Sequence, residues 1–533
     1  MKVLVADKLA EVGLDYLRQQ PDVELLLPGD APESSVAELV KEADGLIVRS
    51  ATTVTPEMIA SAPQLRAVGR AGTGVDNIDL PAATERGIVV MNTPGGNAGA
   101  TAELTFTHLI ASARPIAQAH LSVSAGKWEK KKFPGVELEG KTLGVLGLGR
   151  IGSRVAERAQ AFGMTVLAYD PFLTDERAQQ LGVEKVELEA LFPRVDFLTV
   201  HMPLTDATKY MVNDAAFAAM KDGVRLVNVA RGGLIEEAAL IRALESGKVA
   251  AVGLDVFETE PLAEDHPLRQ FPNVVFTPHL GASTVEAQEI VGLEIAKCIV
   301  DCLRDGTIRN AVNAPSVDAS TLKELRPYLR LAGLLGCLAQ QITPDQVRKI
   351  RLVYSGKLVD MEVRPITRAF QKGYLRKIAN DVNDVNAPRV MKRLGVEGES
   401  VQTTLEREYT ELIRVEATAA NGQVYDFEGT LLGRSDTPRL ILANGREVEA
   451  PLDERYLLVI ENTDVPGIVG MLGNVLAKHQ VNISNMALSR NTVGGIAFNI
   501  CGIDSNPPAE VLSELRAHEA INQVHLVDLS GVG

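Results

Sequence analysis

The chain has 533 residues, 46% of them hydrophobic, and a formal net charge of −15. This length predicts a globular protein of three or more domains. The acidic balance disfavours a surface for phosphate backbones, so we expect no nucleic acid as a partner. No apolar run approaches the length of a membrane span, and the chain opens on a strand-like run, MKVLVAD, without the pattern of a cleavable signal. We therefore expect no membrane association and a cytoplasmic location.

The region from residue 1 to about residue 310 predicts a layered α/β fold. Short runs rich in Val, Leu and Ile alternate there with helical stretches, which is typical of parallel βαβ units. A nucleotide motif lies in the middle of this region, so a separate α/β unit precedes the cofactor domain. The helix at about residues 284–304 is expected to return to that first unit. The cleft between the two lobes is then a natural place for a small substrate.

A glycine-rich hexad follows an apolar strand at residues 147–152, GLGRIG. Gly147 permits a tight turn, Gly149 lets the backbone approach a pyrophosphate, and Gly152 lets the next helix pack closely. Asp170 closes the following strand 18 residues after Gly152, near the ~20 expected for an acid that binds ribose hydroxyls. Because a carboxylate there repels a 2′-phosphate, the sequence predicts NAD rather than NADP. A glycine-rich turn before an ordinary surface helix is the alternative interpretation.

Three further motifs place a cation, a carboxylate and an imidazole after the hexad. Arg231 follows a strand, and its guanidinium suits bidentate binding of a substrate carboxylate. Glu260 and His279 form a candidate pair in which the carboxylate orients the ring and stabilises its protonated form, as proton exchange with a substrate hydroxyl requires. Taken singly, each residue also fits a structural role, as a surface ion pair, a solvated acid or a structural histidine.

Beyond about residue 311 the pattern changes. The stretch up to about residue 450 combines a predicted helix at 321–341 with strand-like runs at 349–355 and 439–442, and it carries no cofactor signal. The last segment has the order β-α-β-β-α-β, which predicts a ferredoxin-like unit. The four cysteines are scattered along the chain, so we interpret them as buried thiols and expect no metal site.

Together these motifs resemble the D-isomer-specific 2-hydroxyacid dehydrogenase family. The resemblance rests on AGTGVDNID (71–79), GLGRIG (147–152), HMPL (201–204), VARGG (229–233) and PHLGAST (278–284), with Asp255 and Glu260. The full length resembles the long form of that family, which carries an intervening domain and an ACT domain. This implies an α/β, two-lobed Rossmann-type dehydrogenase followed by two α+β domains. The implied units are a flavodoxin-like substrate domain (1–97 and 288–310), an NAD-binding domain (98–287), an intervening domain (311–450) and a ferredoxin-like ACT domain (451–533).

The resemblance also implies roles for the motif residues. Arg231 would hold the substrate carboxylate, His279 would take the proton of the C2 hydroxyl, and Glu260 would hold His279 in position, while hydride passes to NAD. The implied NAD contacts are Thr73, Gly147, Gly149, Arg150, Ile151, Gly152, Asp170, Met202, Val229, Ala230, Arg231, Asp255, His279, Gly281 and Ala282.

The long form implies 3-phosphoglycerate as substrate, oxidised to 3-phosphohydroxypyruvate in the first step of L-serine biosynthesis. The implied substrate contacts are Arg49, Ser50, Gly72, Gly74, Asn97, Lys131 and Lys132. The phosphate has two candidate sites, the strand end at Arg49 and the basic run at 130–132, although a basic run is also typical of a solvated surface. Two alternative functions stay open: a glyoxylate or hydroxypyruvate reductase on the same scaffold, and a non-catalytic regulator that senses NAD.

The terminal unit resembles an amino-acid-binding ACT domain through residues 462–470, NTDVPGIVG, and the run VNI that begins at residue 481. The resemblance implies L-serine as an effector, with Asp464 at its ammonium group and Asn482 at its carboxylate or hydroxyl across a dimer interface. Asp464 also fits a structural role as a cap, because Pro466 suits the start of a helix. We further expect a homo-oligomer, either a dimer or a tetramer.

Overall fold

The structure is a computed structural model that describes residues 1–29, 35–343, 346–404, 409–490 and 492–532. Its helices and strands form four units, each built around its own sheet. Among the described residues, no helix combines the length and the apolar character that crossing a membrane requires.

The first unit is a five-stranded parallel sheet in the order β2-β1-β3-β4-β5. This is the 2-1-3-4-5 order of flavodoxin-like folds, as the resemblance implies. Its strands are β1 (Lys2–Val5), β2 (Glu24–Leu26), β3 (Gly45–Val48), β4 (Ala67–Arg70) and β5 (Val89–Met91), and its helices are α1 (Glu11–Arg18), α2 (Val36–Leu39), α3 (Pro56–Ser61) and α4 (Leu80–Glu85).

The second unit holds a seven-stranded parallel sheet in the order β12-β11-β10-β9-β6-β7-β8. The strand order reverses between β6 and β9, which is where open α/β sheets bind nucleotides. Its strands are β6 (Thr142–Leu146), β7 (Thr165–Tyr169), β8 (Glu184–Lys185), β9 (Phe197–Val200), β10 (Val224–Asn228), β11 (Val249–Leu254) and β12 (Val274–Phe276). Its helices are α5 (Ala98–Ala113), α6 (Ile116–Ser124), α7 (Arg150–Ala161), α8 (Asp175–Gln180), α9 (Leu188–Leu191), α10 (Asp214–Ala219) and α11 (Glu237–Glu245).

Helix α12 (Val285–Asp305) leaves the second unit and packs on the first sheet, as the sequence predicts. Two strand glycines make this close approach possible. A Cβ on Gly69 would lie 2.6 Å from the Ile295 side chain, and one on Gly45 would lie 2.9 Å from Leu303. The apolar side chains of α12 therefore supply one face of the core of the first unit.

The third unit is a six-stranded sheet in the order β14-β13-β15-β16-β17-β18, with helices on one side. The predicted helix and the two predicted strand runs are present, as α13, β13 and β17, but the sequence analysis missed the other four strands. The elements are α13 (Ala319–Ile342), β13 (Val347–Gly356), α14 (Arg364–Leu375), α15 (Ala387–Arg393), β14 (Glu397–Thr403), β15 (Glu411–Ala419), β16 (Val424–Leu432), β17 (Thr437–Ala443) and β18 (Arg446–Pro451).

The sequence analysis missed these four strands because charged residues occupy the face of the sheet opposite its helices. Arg414 on β15 pairs with Asp426 and Glu428 on β16, at 3.2 and 3.0 Å. Cross-strand ion pairs of this kind stabilise a sheet face. In the sequence of a single strand, however, the charged residues that form them interrupt the hydrophobic pattern.

The fourth unit confirms the ferredoxin-like prediction. Its elements are β19 (Tyr456–Thr463), α16 (Ile468–Lys478), β20 (Ile483–Arg490), β21 (Ile496–Ile503), α17 (Ala509–Arg516) and β22 (Ile521–Asp528). The sheet is antiparallel in the order β20-β21-β19-β22. Apolar residues of β19 and β22 join those of α13 in one core, so the third and fourth units pack directly against each other.

The four cysteines are free, and three of them, Cys298, Cys337 and Cys501, are buried. Burial raises the pKa of Cys298 and Cys302 to about 11 and that of Cys501 to about 12. Thiolate chemistry near neutral pH is therefore disfavoured at these positions.

Candidate active site

The glycine-rich turn after β6 has the geometry that a dinucleotide cradle requires. Gly147 adopts a φ of 92°, and a Cβ on Gly152 would collide with the carbonyl oxygen of Gly147. A Cβ on Gly149 would meet no atom within 4 Å, so the backbone there faces open space. Each glycine thus occupies the position that its role in phosphate binding demands.

A cavity of about 550 Å³ lies in front of this turn. Gly149, Arg150, Arg154 and Arg177 line it, and the N-terminus of α7 begins at Arg150. Helix N-terminal N–H groups together with guanidinium groups suit a pyrophosphate. The sequence analysis named Arg150 and missed the other two arginines. Arg154 lies one turn beyond Arg150 on α7, and this four-residue spacing in the sequence indicates that the two arginines share a helix face.

Asp170 follows β7 beside this cavity. Its Oδ2 accepts a hydrogen bond from the Leu148 N–H at 2.8 Å, and its Oδ1 accepts one from the Phe172 N–H at 2.9 Å. The carboxylate is therefore fixed against the glycine-rich turn and stays partly exposed. Each oxygen keeps a further lone pair, which fits the predicted bond to ribose hydroxyls.

His279 and Glu260 are brought together as the sequence predicts. The distance between His279 Nδ1 and Glu260 Oε2 is 2.7 Å. Because a carboxylate accepts hydrogen bonds, Nδ1 carries the proton and Nε2 is left to face a substrate. Burial opposes the charge on Glu260, but hydrogen bonds from His279 and the Phe257 N–H outweigh it and lower the pKa of Glu260. Glu260 is thus anionic near neutral pH.

The buried carboxylate of Asp255 organises the loop that carries His279. Its Oδ1 accepts from the Thr277 hydroxyl at 2.5 Å and the Leu280 N–H at 2.7 Å, and its Oδ2 accepts from the Gly281 N–H at 2.9 Å. His279 itself has a φ of 56°, a left-handed conformation that costs a non-glycine residue about 1–2 kcal/mol. Asp255 therefore holds a strained turn in the conformation that presents the imidazole.

Three neighbouring contacts complete this loop. The Thr101 hydroxyl on α5 donates to the carbonyl of Gly281 at 2.9 Å, and Gln288 donates to the carbonyl of Ala282 at 2.5 Å. His108 Nε2 lies 2.8 Å from the Thr277 hydroxyl, which in turn bonds Asp255. The loop is thereby tied both to α5 and to α12.

Arg231 lies at the junction of the two lobes. Its Nε donates to Asp76 Oδ2 at 2.9 Å, across from the first unit. A Cβ on Gly74 would collide with the Arg231 guanidinium, so Gly74 is needed to admit this side chain. Arg231 also contributes to the lowered pKa of Glu260, which places the guanidinium near the His279–Glu260 pair.

Arg70 is a third arginine of the site, and the sequence analysis did not select it. It ends β4, directly across from the Val48 that precedes Arg49. Burial lowers the pKa of Arg70 to about 10, and the positive charges of Arg231 and Arg49 act in the same direction. Its buried Nε has no hydrogen-bond partner among the described residues. A signal was available, because an arginine at the end of the strand next to Arg49 falls on the same edge of a parallel sheet.

The other predicted substrate contacts are distributed around this edge. The Thr73 hydroxyl donates to Asn97 Oδ1 at 2.8 Å, at the start of α5. Arg49 donates to the carbonyl of Lys8 at 3.1 Å, and Ser50 is exposed. Lys131 and Lys132 lie in a short 3₁₀ helix, where Lys132 pairs with Glu129 at 2.6 Å.

Two predicted positions in the ACT-like unit lie far apart within one chain. Asp464 Oδ2 accepts from Arg490 and from the Gly494 N–H, both at 3.0 Å, at one end of β20. Asn482 donates to Asp504 at 2.8 Å, at the other end. Eight residues of β20 span about 25 Å at ~3.3 Å per residue. The structural alternative for Asp464 is wrong, since Gly467 is the N-cap of α16 and no side chain caps it.

A base and a guanidinium that follow strands of the same sheet as the dinucleotide cradle are what hydride transfer from a 2-hydroxy acid requires. The fold and the site therefore define an NAD-dependent dehydrogenase with two α/β lobes.

Comparison with known proteins narrows this class. Family models match as follows: D-isomer specific 2-hydroxyacid dehydrogenase, NAD binding domain, at residues 106–281; D-3-phosphoglycerate dehydrogenase intervening domain at 324–444; and ACT domain at 456–520. The D-3-phosphoglycerate dehydrogenase of Archaeoglobus fulgidus is 41% identical over 99% of this chain and 100% of its own length. That of Bacillus subtilis is 38% identical over 99% of both chains. The chain belongs to the D-3-phosphoglycerate dehydrogenase family.

Solved structures match the first two units. A glyoxylate reductase from Paecilomyes thermophila is 32% identical, with a TM-score of 0.53, over 58% of this chain and 98% of its own. D-lactate dehydrogenase from Aquifex aeolicus, complexed with NAD and lactic acid, is 29% identical, with a TM-score of 0.52, over 59% of this chain and 100% of its own. The first two units thus share their fold with proteins named glyoxylate reductase and D-lactate dehydrogenase.

Proposed function

We propose that the protein oxidises (2R)-3-phosphoglycerate to 3-phosphohydroxypyruvate with NAD, the first step of L-serine biosynthesis. The observation that carries this proposal is the row of three arginines, Arg49, Arg70 and Arg231, that leads to the His279–Glu260 pair. A substrate with a carboxylate at one end and a phosphate at the other matches such a row. Full-length relatives named D-3-phosphoglycerate dehydrogenase support the same substrate.

The chemistry follows from the arrangement of these side chains. Arg231 holds the substrate carboxylate, and its bond to Asp76 fixes the direction of the guanidinium. His279 Nε2 takes the proton of the C2 hydroxyl, while Glu260 at Nδ1 stabilises the imidazolium that forms. Bound NAD supplies the acceptor for the hydride that leaves C2. In the reverse direction His279 returns the same proton to the carbonyl oxygen.

Arg49 and Arg70 hold the phosphate in this proposal. Arg70 has a buried guanidinium nitrogen without a partner among the described residues, and an anion would satisfy it. The charged groups that act most strongly on Arg70 are Arg231, Asp76, Arg49 and Asp7. The run at Lys130–Lys132 is the second candidate for the phosphate, and Lys131 and Lys132 would act there.

The test is an initial-rate comparison of 3-phosphoglycerate with D-glycerate and with glyoxylate, each in its proper redox direction. Arg70→Gln should raise KM for 3-phosphoglycerate about 10- to 100-fold, since a hydrogen bond to a charged group is worth about 1.5–3 kcal/mol, and change KM for D-glycerate little. Lys131→Gln tests the second candidate, because a selective rise in KM for 3-phosphoglycerate in that variant instead would place the phosphate at the basic run. Equal losses on both substrates would show that Arg70 does not hold the phosphate, and faster turnover of glyoxylate in the wild type would favour the reductase alternative.

We further propose that the enzyme is a cytoplasmic homo-oligomer. Four apolar side chains on and after α6 are exposed, with exposed fractions of 60% for Ile116, 68% for Leu121, 54% for Val123 and 85% for Trp128. An apolar surface of this kind is typical of a protein interface. Sedimentation at micromolar concentration should report a dimer or a tetramer, and Leu121→Glu should shift it toward the monomer. The four free cysteines fit a reducing compartment.

The L-serine proposal requires two subunits. Asp464 and Asn482 lie at opposite ends of β20, so one effector molecule can meet both only if they belong to different chains. Asp464→Ala and Asn482→Ala should each weaken L-serine binding in calorimetry, whereas Glu519→Ala on the same unit should not. Absence of any heat with millimolar L-serine would leave the unit as an assembly domain.

A further inference from the structure

Two catalytic loops leave neighbouring strands of the second sheet. Residues 229–236, the arginine loop, follow β10, and residues 255–261, the glutamate loop, follow β11, which pairs in parallel with β10. A Cβ on Gly232 would collide with the carbonyl oxygen of Phe257, so the two backbones are in direct contact just beyond the strands. The guanidinium of one loop is therefore positioned relative to the carboxylate of the other by whatever holds these loops together.

A pair of carboxylates joins the far ends of the two loops. The Glu237 N–H, in the first residue of α11, donates to Glu258 Oε1 at 2.8 Å, and the Glu258 N–H donates to Glu237 Oε1 at 2.7 Å. The first N–H groups of a helix have no partner within that helix, so Glu258 satisfies a donor of α11. In return, Glu237 fixes the glutamate loop two residues before Glu260.

Two further side chains bind the second oxygen of each carboxylate. The Tyr210 hydroxyl donates to Glu258 Oε2 at 3.1 Å, and the Tyr210 N–H donates to a carbonyl of the arginine loop at 2.7 Å. His266 Nε2 lies 3.1 Å from Glu237 Oε2, and His266 Nδ1 accepts from the Leu268 N–H at 3.4 Å. The neutral ring therefore carries its proton on Nε2 and donates it to Glu237. All four carboxylate oxygens thus accept a hydrogen bond.

This arrangement places two carboxylates beside each other at a cost. Burial raises the pKa of Glu237, and the negative charge of Glu258 acts in the same direction, against the hydrogen bonds that Glu237 accepts from the Glu258 N–H and from His266. Like charges at short distance disfavour the ionised form of a carboxyl group. Perturbed carboxylates of this kind cluster at functional sites, and this pair adjoins both catalytic loops.

We propose that Glu237 and Glu258 are positioning residues of the dehydrogenase reaction, whose reciprocal bonds hold the two loops at a fixed distance. In the proposed function, on which this inference rests, Arg231 holds the substrate carboxylate and Glu260 orients His279. Without the carboxylate pair the loops still touch at their first residues, but their far ends are free to separate. The substrate then moves relative to the imidazole, and a displacement of about 1 Å costs about 100-fold in rate.

Glutamine substitutions distinguish the two partners. In Glu258→Gln the remaining oxygen still accepts from the Glu237 N–H, and the new NH₂ group donates to the Tyr210 hydroxyl oxygen. In Glu237→Gln the NH₂ group necessarily meets an N–H donor, because both native oxygens accept from N–H groups. We therefore expect Glu258→Gln to keep kcat/KM within about threefold of the wild type and Glu237→Gln to lower it about 10-fold or more.

The assay is the initial rate of the full-length protein. It uses whichever of 3-phosphoglycerate, D-glycerate and glyoxylate the wild type turns over, so an error in the proposed substrate leaves this test intact. Glu237→Ala and Glu258→Ala should each lower kcat/KM about 10-fold or more. Kd for NADH should stay within about threefold, because the dinucleotide cradle follows β6, two strands away from β10. Glu245→Ala, at the exposed last residue of α11, is the control and should keep the wild-type rate.

The variants at residue 258 keep the proposal testable if Glu237→Ala does not fold, because Glu258 is exposed. A lowered rate in Glu258→Ala that Glu258→Gln restores supports the proposal. Wild-type kcat/KM in Glu258→Ala overturns it, as do equal losses in Glu258→Ala and Glu258→Gln. A loss of NADH binding in parallel with the loss of rate also overturns it, since the substitutions would then disturb the whole cofactor domain.

Discussion

Asp255 holds the His279 loop through three hydrogen bonds, so a substitution at this carboxylate should disturb the catalytic imidazole. Asp255→Asn replaces one acceptor oxygen with an NH₂ group. The less costly orientation keeps an oxygen facing Thr277 and Leu280 and turns the NH₂ group toward the Gly281 N–H. Two donors then face each other away from water, since residue 255 is shielded from solvent and has an exposed fraction of 0%.

The size of the effect follows from this single lost bond. A hydrogen bond to a charged group contributes about 1.5–3 kcal/mol, and a buried N–H without an acceptor adds to the loss. If the left-handed turn at His279 loses about 2–3 kcal/mol of stabilisation, kcat/KM should fall about 30- to 150-fold. Because His279 and Glu260 are unchanged, the shape of the pH–rate profile should be retained while its plateau falls.

The assay is the initial rate of NAD reduction with 3-phosphoglycerate across pH, together with thermal unfolding. Asp222→Asn is the matched control, since Asp222 pairs with Lys248 at 2.9 Å on the surface of the same unit, and it should leave the rate unchanged. Turnover of Asp255→Asn within threefold of the wild type would show that the loop keeps its conformation without this carboxylate.

Three further substitutions test other parts of the site. Glu260→Gln should lower kcat about 10- to 100-fold and change its pH dependence, because the imidazolium loses its anionic partner; an unchanged profile would contradict the pairing. Asp170→Ala should weaken NAD binding and improve the relative use of NADP, measured as the ratio of kcat/KM values, and a constant ratio would rule out the ribose contact. Gly74→Ala should displace Arg231 and raise KM for every 2-hydroxy acid, whereas Gly99→Ala, whose Cβ meets open space, should not.

The parts of the site that follow local rules were predictable from the sequence. The hexad and Asp170 depend on one strand, one turn and one helix. Each glycine of the hexad is required by the local backbone geometry, and the sequence motif reflects that requirement. The pairing of Glu260 with His279 was predictable because few partners orient an imidazole as a carboxylate does.

The parts that depend on long-range packing were not predictable in this way. Arg70 shares a sheet edge with Arg49, but its proximity to Arg231 arises only where the second lobe packs against the first. Asp255 was assigned to NAD, but its bonds to the His279 loop come from residues 22 to 26 positions later in the chain. In the missed strands of the third unit, charged residues such as Arg414 interrupt the hydrophobic pattern. The partners of Arg414 lie on the next strand, so the ion pairs are visible only in the folded sheet.

The placement of α12 has a consequence for synthesis on the ribosome. The first sheet is complete at Met91, but the helix that covers it begins at Val285, 194 residues later. At about 5–20 residues per second, an apolar sheet face stays without its cover for roughly 10–40 s. During that interval the whole cofactor lobe is synthesised as an insertion between the first sheet and α12. The substrate lobe comes first in the sequence, yet its core can be completed only after α12 has been synthesised. Until then its exposed apolar sheet face is a binding surface for chaperones.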